Sequence, residues 1–217
     1  MSRIRKIIKN PTKHKKNYFF VDACFLANKY IPLKVAPDVS ERNRLRACHV
    51  WWKEIDRQLN LDVARVYIPD ICIAEAFKVL AKKYYVEHWF KLPNDLRIAR
   101  KKLSKDVTIN TKILKSPRRK TKYHDISTSR DIIISVDRFY EAFMKHKRKV
   151  QIADLILVAT VKYAMDFYDL PRSQVHIITL DNDLRLGIKN ILELPNAYDP
   201  TNRNDAFEKV FCFQRKT

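Results

Sequence analysis

The sequence predicts an α/β fold, a parallel β-sheet flanked by helices. Three observations carry this. Two apolar runs, "YFFV" at 18–21 and "QVHIITL" at 174–180, read as buried strands. Each is followed at once by acid, Asp22 after the first and "DND" at 181–183 after the second. Between them, apolar residues recur at helical spacing, and strands separated by helices favour parallel pairing with both faces covered. With 217 residues and 46% hydrophobic content, the chain suits one domain with a sizeable core.

The elements follow in order. Residues 1–17 read as a basic N-terminal tail and 18–217 as a single domain. The first strand spans 18–22. Pro32 and Pro37 punctuate a loop, and Ser40 is expected to cap a helix running to about Leu59, with Leu45, Cys48, Trp52, Ile55 and Leu59 on one stripe. "ARVYIP" at 64–69 is a connector or strand. Asp70 is the expected N-cap of the next helix, where Ile71, Ala74, Phe77, Ala81 and Tyr84 recur at helical spacing. The stretch at about 91–126 is polar, basic and weakly periodic, and reads as an insertion with some helix near 95–104. Ser127 or Ser129 caps a helix striped by Ile132, Val136, Phe139, Tyr140 and Phe143. A strongly apolar helix starts near 152. After the strand at 174–180, "KVFCF" at 209–213 is expected to be the last strand.

Composition excludes several classes. No apolar run approaches the ~20 residues that cross a bilayer, and no apolar signal core follows the basic N-terminus. Gly187 is the single glycine, which rules out glycine-rich phosphate loops and dinucleotide fingerprints. Cys24, Cys48, Cys72 and Cys212 lack metal-ligand spacing and sit among apolar residues, as reduced core thiols of a cytoplasmic protein do. Serine and threonine show no nucleophile–base arrangement. His14, His49, His88, His124, His146 and His176 share no spacing and read as structural or surface residues, with His146 a candidate phosphate contact. Trp51, Trp52 and Trp89 read as core.

The net charge is +20, and it is concentrated. Residues 1–17 hold seven basic residues and no acid, residues 97–123 hold eleven against one, and "KHKRK" at 145–149 holds four. The rest of the chain is close to neutral. A near-neutral body with basic segments is the footprint of a polyanion partner, most simply nucleic acid. Arg118, Arg119, Lys120 and Lys122, with Tyr123 as a stacking ring, are candidate RNA contacts, as are Lys145, Lys147, Arg148 and Lys149.

Two more acids stand out. Glu75 is the only charge from Ile71 through Phe77, and Asp154 is alone in "IADLILVATV". A lone carboxylate in an apolar helix is costly to bury unless it is paired or binds a cation. With Asp22 and Asp181 they make an oxygen-only donor set, with Asp183 as alternative or helper to Asp181. Such a set favours Mg2+ or Mn2+ over zinc. Beside a basic surface it suggests phosphodiester hydrolysis by a metal-activated water, with a second metal stabilising the leaving oxygen. A nucleic-acid-binding scaffold and a structure-specific DNA nuclease are the alternatives.

The order of these motifs resembles the PIN-domain nucleases. The matching pieces are "FFVDACFL", "PDICIAEAFKVL", "IADLILVATVKYA" and "IITLDNDLR". The acids are separated by 53, 79 and 27 residues. The resemblance covers about 18–30, 64–85 and 150–213. It implies a Rossmann-like parallel sheet and a metal-dependent endoribonuclease leaving 5′-phosphate and 3′-hydroxyl ends. Asp22, Glu75, Asp154 and Asp181 would be its metal-binding quartet. It further implies RNA as substrate and an antitoxin-like inhibitory protein as partner; a homodimer is a further expectation, and the lack of a long apolar run argues for no membrane. Family members usually carry Thr, Ser or Asn just after the first Asp, where this chain has Ala23 and Cys24. The supporting hydrogen bond is then missing, or comes from Asn28 or Thr179.

Overall fold

The computed structural model describes residues 16–107, 123–202 and 206–211. Five parallel strands form one sheet in the order β3-β2-β1-β4-β5: β1 Asn17–Val21, β2 Ala64–Pro69, β3 Tyr123–Ile126, β4 Val175–Ile178 and β5 Ala197–Tyr198. The helices are α1 Ala23–Asn28, α2 Val39–Asn60, α3 Asp70–Tyr85, α4 Pro93–Val107, α5 Arg130–Lys145, α6 Ile152–Phe167, α7 Asn182–Lys189 and α8 Ala206–Phe211. The α/β expectation is met.

β1 is central, and its sequence explains why. Successive strand side chains point to opposite faces, and Phe19, Phe20 and Val21 are all fully buried. Both faces are therefore covered. Phe20 pairs in register with Tyr67 on one side and Ile177 on the other. The chain winds from β1 outward through β2 and β3, then returns to the other side of β1 for β4 and β5. The winding reverses between β1 and β4, where parallel sheets open a crevice beyond the strand ends.

α6 is apolar around its circumference, and Leu157, Val158, Ala159, Thr160 and Val161 are buried in succession. A helix of this kind belongs inside. α5 is amphipathic and buries Ile132, Phe139 and Phe143. The basic stretch after residue 91 joins the main body at both described ends: α4 buries Leu96, Ala99 and Leu103, and β3 pairs with β2. An ion-pair network ties α4 down. Lys29 contacts Asp56 at 3.0 Å and the Tyr123 hydroxyl, and the Tyr30 hydroxyl donates to Asp106 at 3.0 Å.

Several local expectations change. Asp38, not Ser40, caps α2, its Oδ1 accepting from the Glu41 N–H at 2.8 Å. Asp70 is the first residue of α3, with Pro69 at the cap position. Of the two candidate serines, Ser129 caps α5. β1 begins at Asn17, which is buried and donates to Gln58 at 3.0 Å, so the strand starts inside the segment read as tail. Residues 206–211 form helix α8 rather than the start of a strand. Phe207, Val210 and Phe211 lie at helical i, i+3, i+4 spacing, which puts the two aromatics together on Trp51. Tyr123 is buried in β3 against Lys29 and is not a free stacking ring. Cys24 is exposed, Cys48 and Cys72 are buried as expected, and Cys212 lies outside the described residues. Trp51, Trp52 and Trp89 are core. No helix among the described residues is long and apolar enough to cross a membrane.

Gly187 marks a close approach of α7 to α5. A Cβ placed there would lie 2.1 Å from Cε1 of Phe143, which is itself fully buried. The ring has nowhere to retreat, so Gly187→Ala should destabilise the fold by about 1–3 kcal/mol through overpacking. The shift of the urea midpoint measures it; an unchanged midpoint would mean α5 and α7 separate freely.

Candidate active site

Asp22 directly follows β1. Its backbone N–H donates to the Ile178 carbonyl of β4 at 3.0 Å, so the carboxylate stands at the crevice between the two central strands. Oδ1 caps α1 by accepting from the Phe25 N–H at 2.5 Å. Oδ2 accepts from the Thr179 hydroxyl at 2.6 Å and from the Leu180 N–H at 3.0 Å. Burial raises its pKa against the lowering effect of these three donors, and the Asp181 charge adds to the rise. Thr179 also accepts from the Asp181 N–H at 2.9 Å. One buried hydroxyl thus joins the first acid to the backbone of the last. The support expected from Asn28 or Thr179 comes from Thr179; Asn28 instead faces the Cys48 sulfur at 3.8 Å.

The other acids arrive on helices. Asp181 caps α7, its Oδ1 accepting from the Leu184 N–H at 2.8 Å. Asp154 lies in the first turn of α6, where its Oδ2 accepts from the Gln151 N–H at 3.0 Å. Glu75 lies about one and a half turns into α3 and is half-buried. In a parallel α/β sheet, helices that follow strands begin at the edge where the strands end. Their positive N-termini face the crevice and favour anions there.

Asp22, Glu75, Asp154 and Asp181 line one pocket of about 190 Å3, together with Arg44 of α2 and Gln151. Residues 22, 75, 154 and 181 are far apart in sequence, and the fold brings them to the lining of one pocket. Asp154 shows the electrostatic consequence: burial, then the charges of Asp181, Asp22 and Glu75, push its pKa up to about 6 against the Gln151 hydrogen bond. Asp183 does not line the pocket and instead pairs with Arg148 at 3.2 Å. Cys24 opens into the pocket. Desolvation and the Asp22, Glu75 and Asp154 charges push its thiol up to about 12 against the nearby Arg44, so it carries no thiolate at neutral pH.

The oxygen donors, their mutual repulsion and the raised Asp154 fit a hard divalent cation, which would relieve the accumulated charge. As the side chains stand, no three acidic, histidine or cysteine groups among the described residues converge within coordinating range. Closing on a cation therefore requires side-chain rotation, Glu75 having the longest reach.

Of the basic candidates, Lys145 ends α5, Lys147 and Lys149 are exposed in the turn that follows, and Arg148 is half-buried on Asp183. This turn leads directly to Gln151 at the pocket. Arg118, Arg119, Lys120 and Lys122 lie outside the described residues. His146 is exposed, while His176 is buried in β4 with its pKa lowered to about 4 by desolvation. Sequence reasoning missed Arg44 and Gln151. Arg42, Arg44 and Arg46 in the first turns of α2, where the helix dipole disfavours cations, were a signal for Arg44. Nothing in the sequence singled out Gln151.

Thr179→Val strips a donor from a buried carboxylate and should cost about 1–3 kcal/mol, while Thr179→Ser should restore most of it; equal midpoints for Val and wild type in urea would remove the hydroxyl's role. In the metal-free protein, Asp154 holds its proton more tightly folded than unfolded, where it titrates near 3.8. Its contribution to stability therefore falls as pH rises from about 4 to about 6. Asp154→Asn should remove that fall and stabilise the protein at pH 7 by roughly 1–2 kcal/mol after solvent screening. Melting curves across pH 4–8 check it, and a parallel pH profile for the two proteins would refute it.

By chain path, the protein is similar to several solved structures. They include VapBC2 from Rickettsia felis bound to a DNA fragment from their promoter, at 8% identity over 84% of this chain and 98% of that one, TM-score 0.47. FitAB bound to an IR36 DNA fragment matches at 12% identity over 85% and 96%, TM-score 0.49. FitAcB from Neisseria gonorrhoeae matches at 11% over 84% and 97%, TM-score 0.47. Likeness at this level concerns the chain path alone. No protein-family model matches the chain, and no curated protein is significantly similar to it in sequence.

Proposed function

We propose that the protein is a Mg2+- or Mn2+-dependent endoribonuclease of the PIN type, hydrolysing single-stranded or looped RNA. The observation that supports this most is the meeting of four sequence-distant carboxylates in one pocket at the crevice of the sheet. In this reading Asp22, Glu75, Asp154 and Asp181 hold the cation. Bound there, it would supply an activated water and neutralise charge on the leaving oxygen.

The chain's own groups do the rest. Thr179, with the Phe25 and Leu180 amides, fixes the Asp22 carboxylate in one orientation, so little reorganisation is needed when charge shifts. Asp154 and Asp181, each hydrogen-bonded through one oxygen, keep the other available to the pocket. Arg44 sits at the pocket wall, where a guanidinium can hold a phosphate oxygen of the strand. The basic segments, including Arg118, Arg119, Lys120 and Lys122 and the run Lys145, Lys147, Arg148 and Lys149, hold the backbone from outside. The net charge of +20 favours encounter with RNA.

Purified protein should cut single-stranded RNA with Mn2+ or Mg2+, and EDTA or the double variant Asp22→Asn with Asp154→Asn should abolish cutting. Activity that survives either one sinks the metal mechanism. A nucleic-acid-binding scaffold is the second reading, favoured by the lack of a tight three-ligand cluster among the described residues. Calorimetric Mn2+ titration separates the two: heat of binding that disappears in the double variant supports the nuclease, and RNA binding with no Mn2+ binding supports the scaffold.

A further inference from the structure

A second and larger groove, of about 690 Å3, opens beside the carboxylate pocket. The two share a wall, since Arg44 and Leu180 line both. Its volume is within the ~300–1,000 Å3 of pockets that enclose small ligands. One side is a face of α2 on which Asn43, Ala47, Val50 and Trp51 recur at helical spacing; Pro200 and Phe207 stand among the other walls. Val50 keeps half its surface open to solvent. The polar groups are amides, hydroxyls and guanidinia, and no acid is among the described lining residues. Arg46 donates to the Asn43 side-chain oxygen at 3.1 Å, which leaves the Asn43 amide N–H groups for another acceptor.

This chemistry matches a nucleotide. Apolar walls take the face of a base, side-chain amides and hydroxyls take its edge, and guanidinia take phosphate. The position matches as well. A strand whose scissile phosphate lies at the four acids has its adjacent nucleotide within reach, across Arg44. We propose that the groove is a nucleotide-binding subsite for the residue next to the cleaved bond, and that Arg44 holds the phosphate between groove and pocket. The subsite rests on the endoribonuclease reading and deepens it by locating a place where base preference is set. Ala47 is the small residue on the groove face of α2, so its size governs how much base the groove admits.

The test uses the full chain with Ala47→Phe, which fills the groove, and Arg46→Ala, which removes an exposed cation and leaves the fold intact. Binding of a fluorescein-labelled single-stranded RNA decamer of mixed sequence is followed by anisotropy in EDTA. Cut sites in a randomised RNA are sequenced after incubation with Mn2+. Ala47→Phe should weaken binding at least tenfold and change base preference at one position beside the cut, with far-UV circular dichroism confirming its fold. Arg46→Ala should lower the salt slope of binding by about one. If wild type cuts RNA while both variants bind and cut as it does, the groove is no subsite and the nuclease reading stands. If wild type cuts no RNA with either cation, the nuclease reading itself falls, and the subsite with it.

Discussion

The hydrogen bond from Thr179 to Asp22 is 2.6 Å long and joins the ends of the two central strands. Much of the molecule is arranged around it. Asp22 ends β1, caps α1 and, through Thr179, is linked to the backbone of Asp181, where α7 begins. Asp22 is only 6% exposed, so its carboxylate must be ringed by donors or neutralised. Three donors ring it, and burial still raises its pKa. The crevice therefore carries electrostatic cost in the folded, metal-free chain, which a proton or a cation can relieve.

Parallel topology makes the collection of acids economical. Helices after β1 and β4 begin at the same edge of the sheet, so Asp22 and Asp181 act as cap residues and as pocket residues at once. α6 brings Asp154 in its own first turn. Each of these carboxylates accepts a backbone N–H at a helix start, which holds its side chain while leaving acceptor capacity toward the pocket. Glu75 differs, entering from further along α3, and it depends on the packing of α3 against α1 rather than on a cap.

The distribution of charge complements this arrangement. A near-neutral body carries an acidic crevice, with Arg44 of α2 on one wall and the basic turn at 145–149 leading to Gln151. Four carboxylates in one crevice repel any polyanion unless positive charge beside them offsets the repulsion. The Asp183–Arg148 pair adds a link between α7 and that turn. It gives Asp183 a structural role in this arrangement.

The sequence by itself determined the buried central strands, the helices between them and the four acids, because burial on both faces leaves uninterrupted apolar runs and makes an isolated charge conspicuous. The short strands β3 and β5 were not legible. Four and two residues carry too little pattern, and their pairing is dictated by the neighbouring strand. Residues 209–211, the described part of the strand expected at 209–213, are helical instead: "KVF" alternates locally like a strand, whereas packing of Phe207 and Phe211 on Trp51 selects the helix. Cap positions shifted by one or two residues because Asp, Ser and Pro near a helix start compete and only backbone geometry decides among them. Which acid joins the pocket, Asp181 or Asp183, was likewise open, since both follow the same strand. Tertiary structure decided it: the cap geometry of α7 turns Asp181 toward the crevice, and Arg148 draws Asp183 away. The place of Arg44 between pocket and groove was also beyond the sequence, because it depends on where α2 crosses the loop after β4, a contact between parts of the chain more than a hundred residues apart.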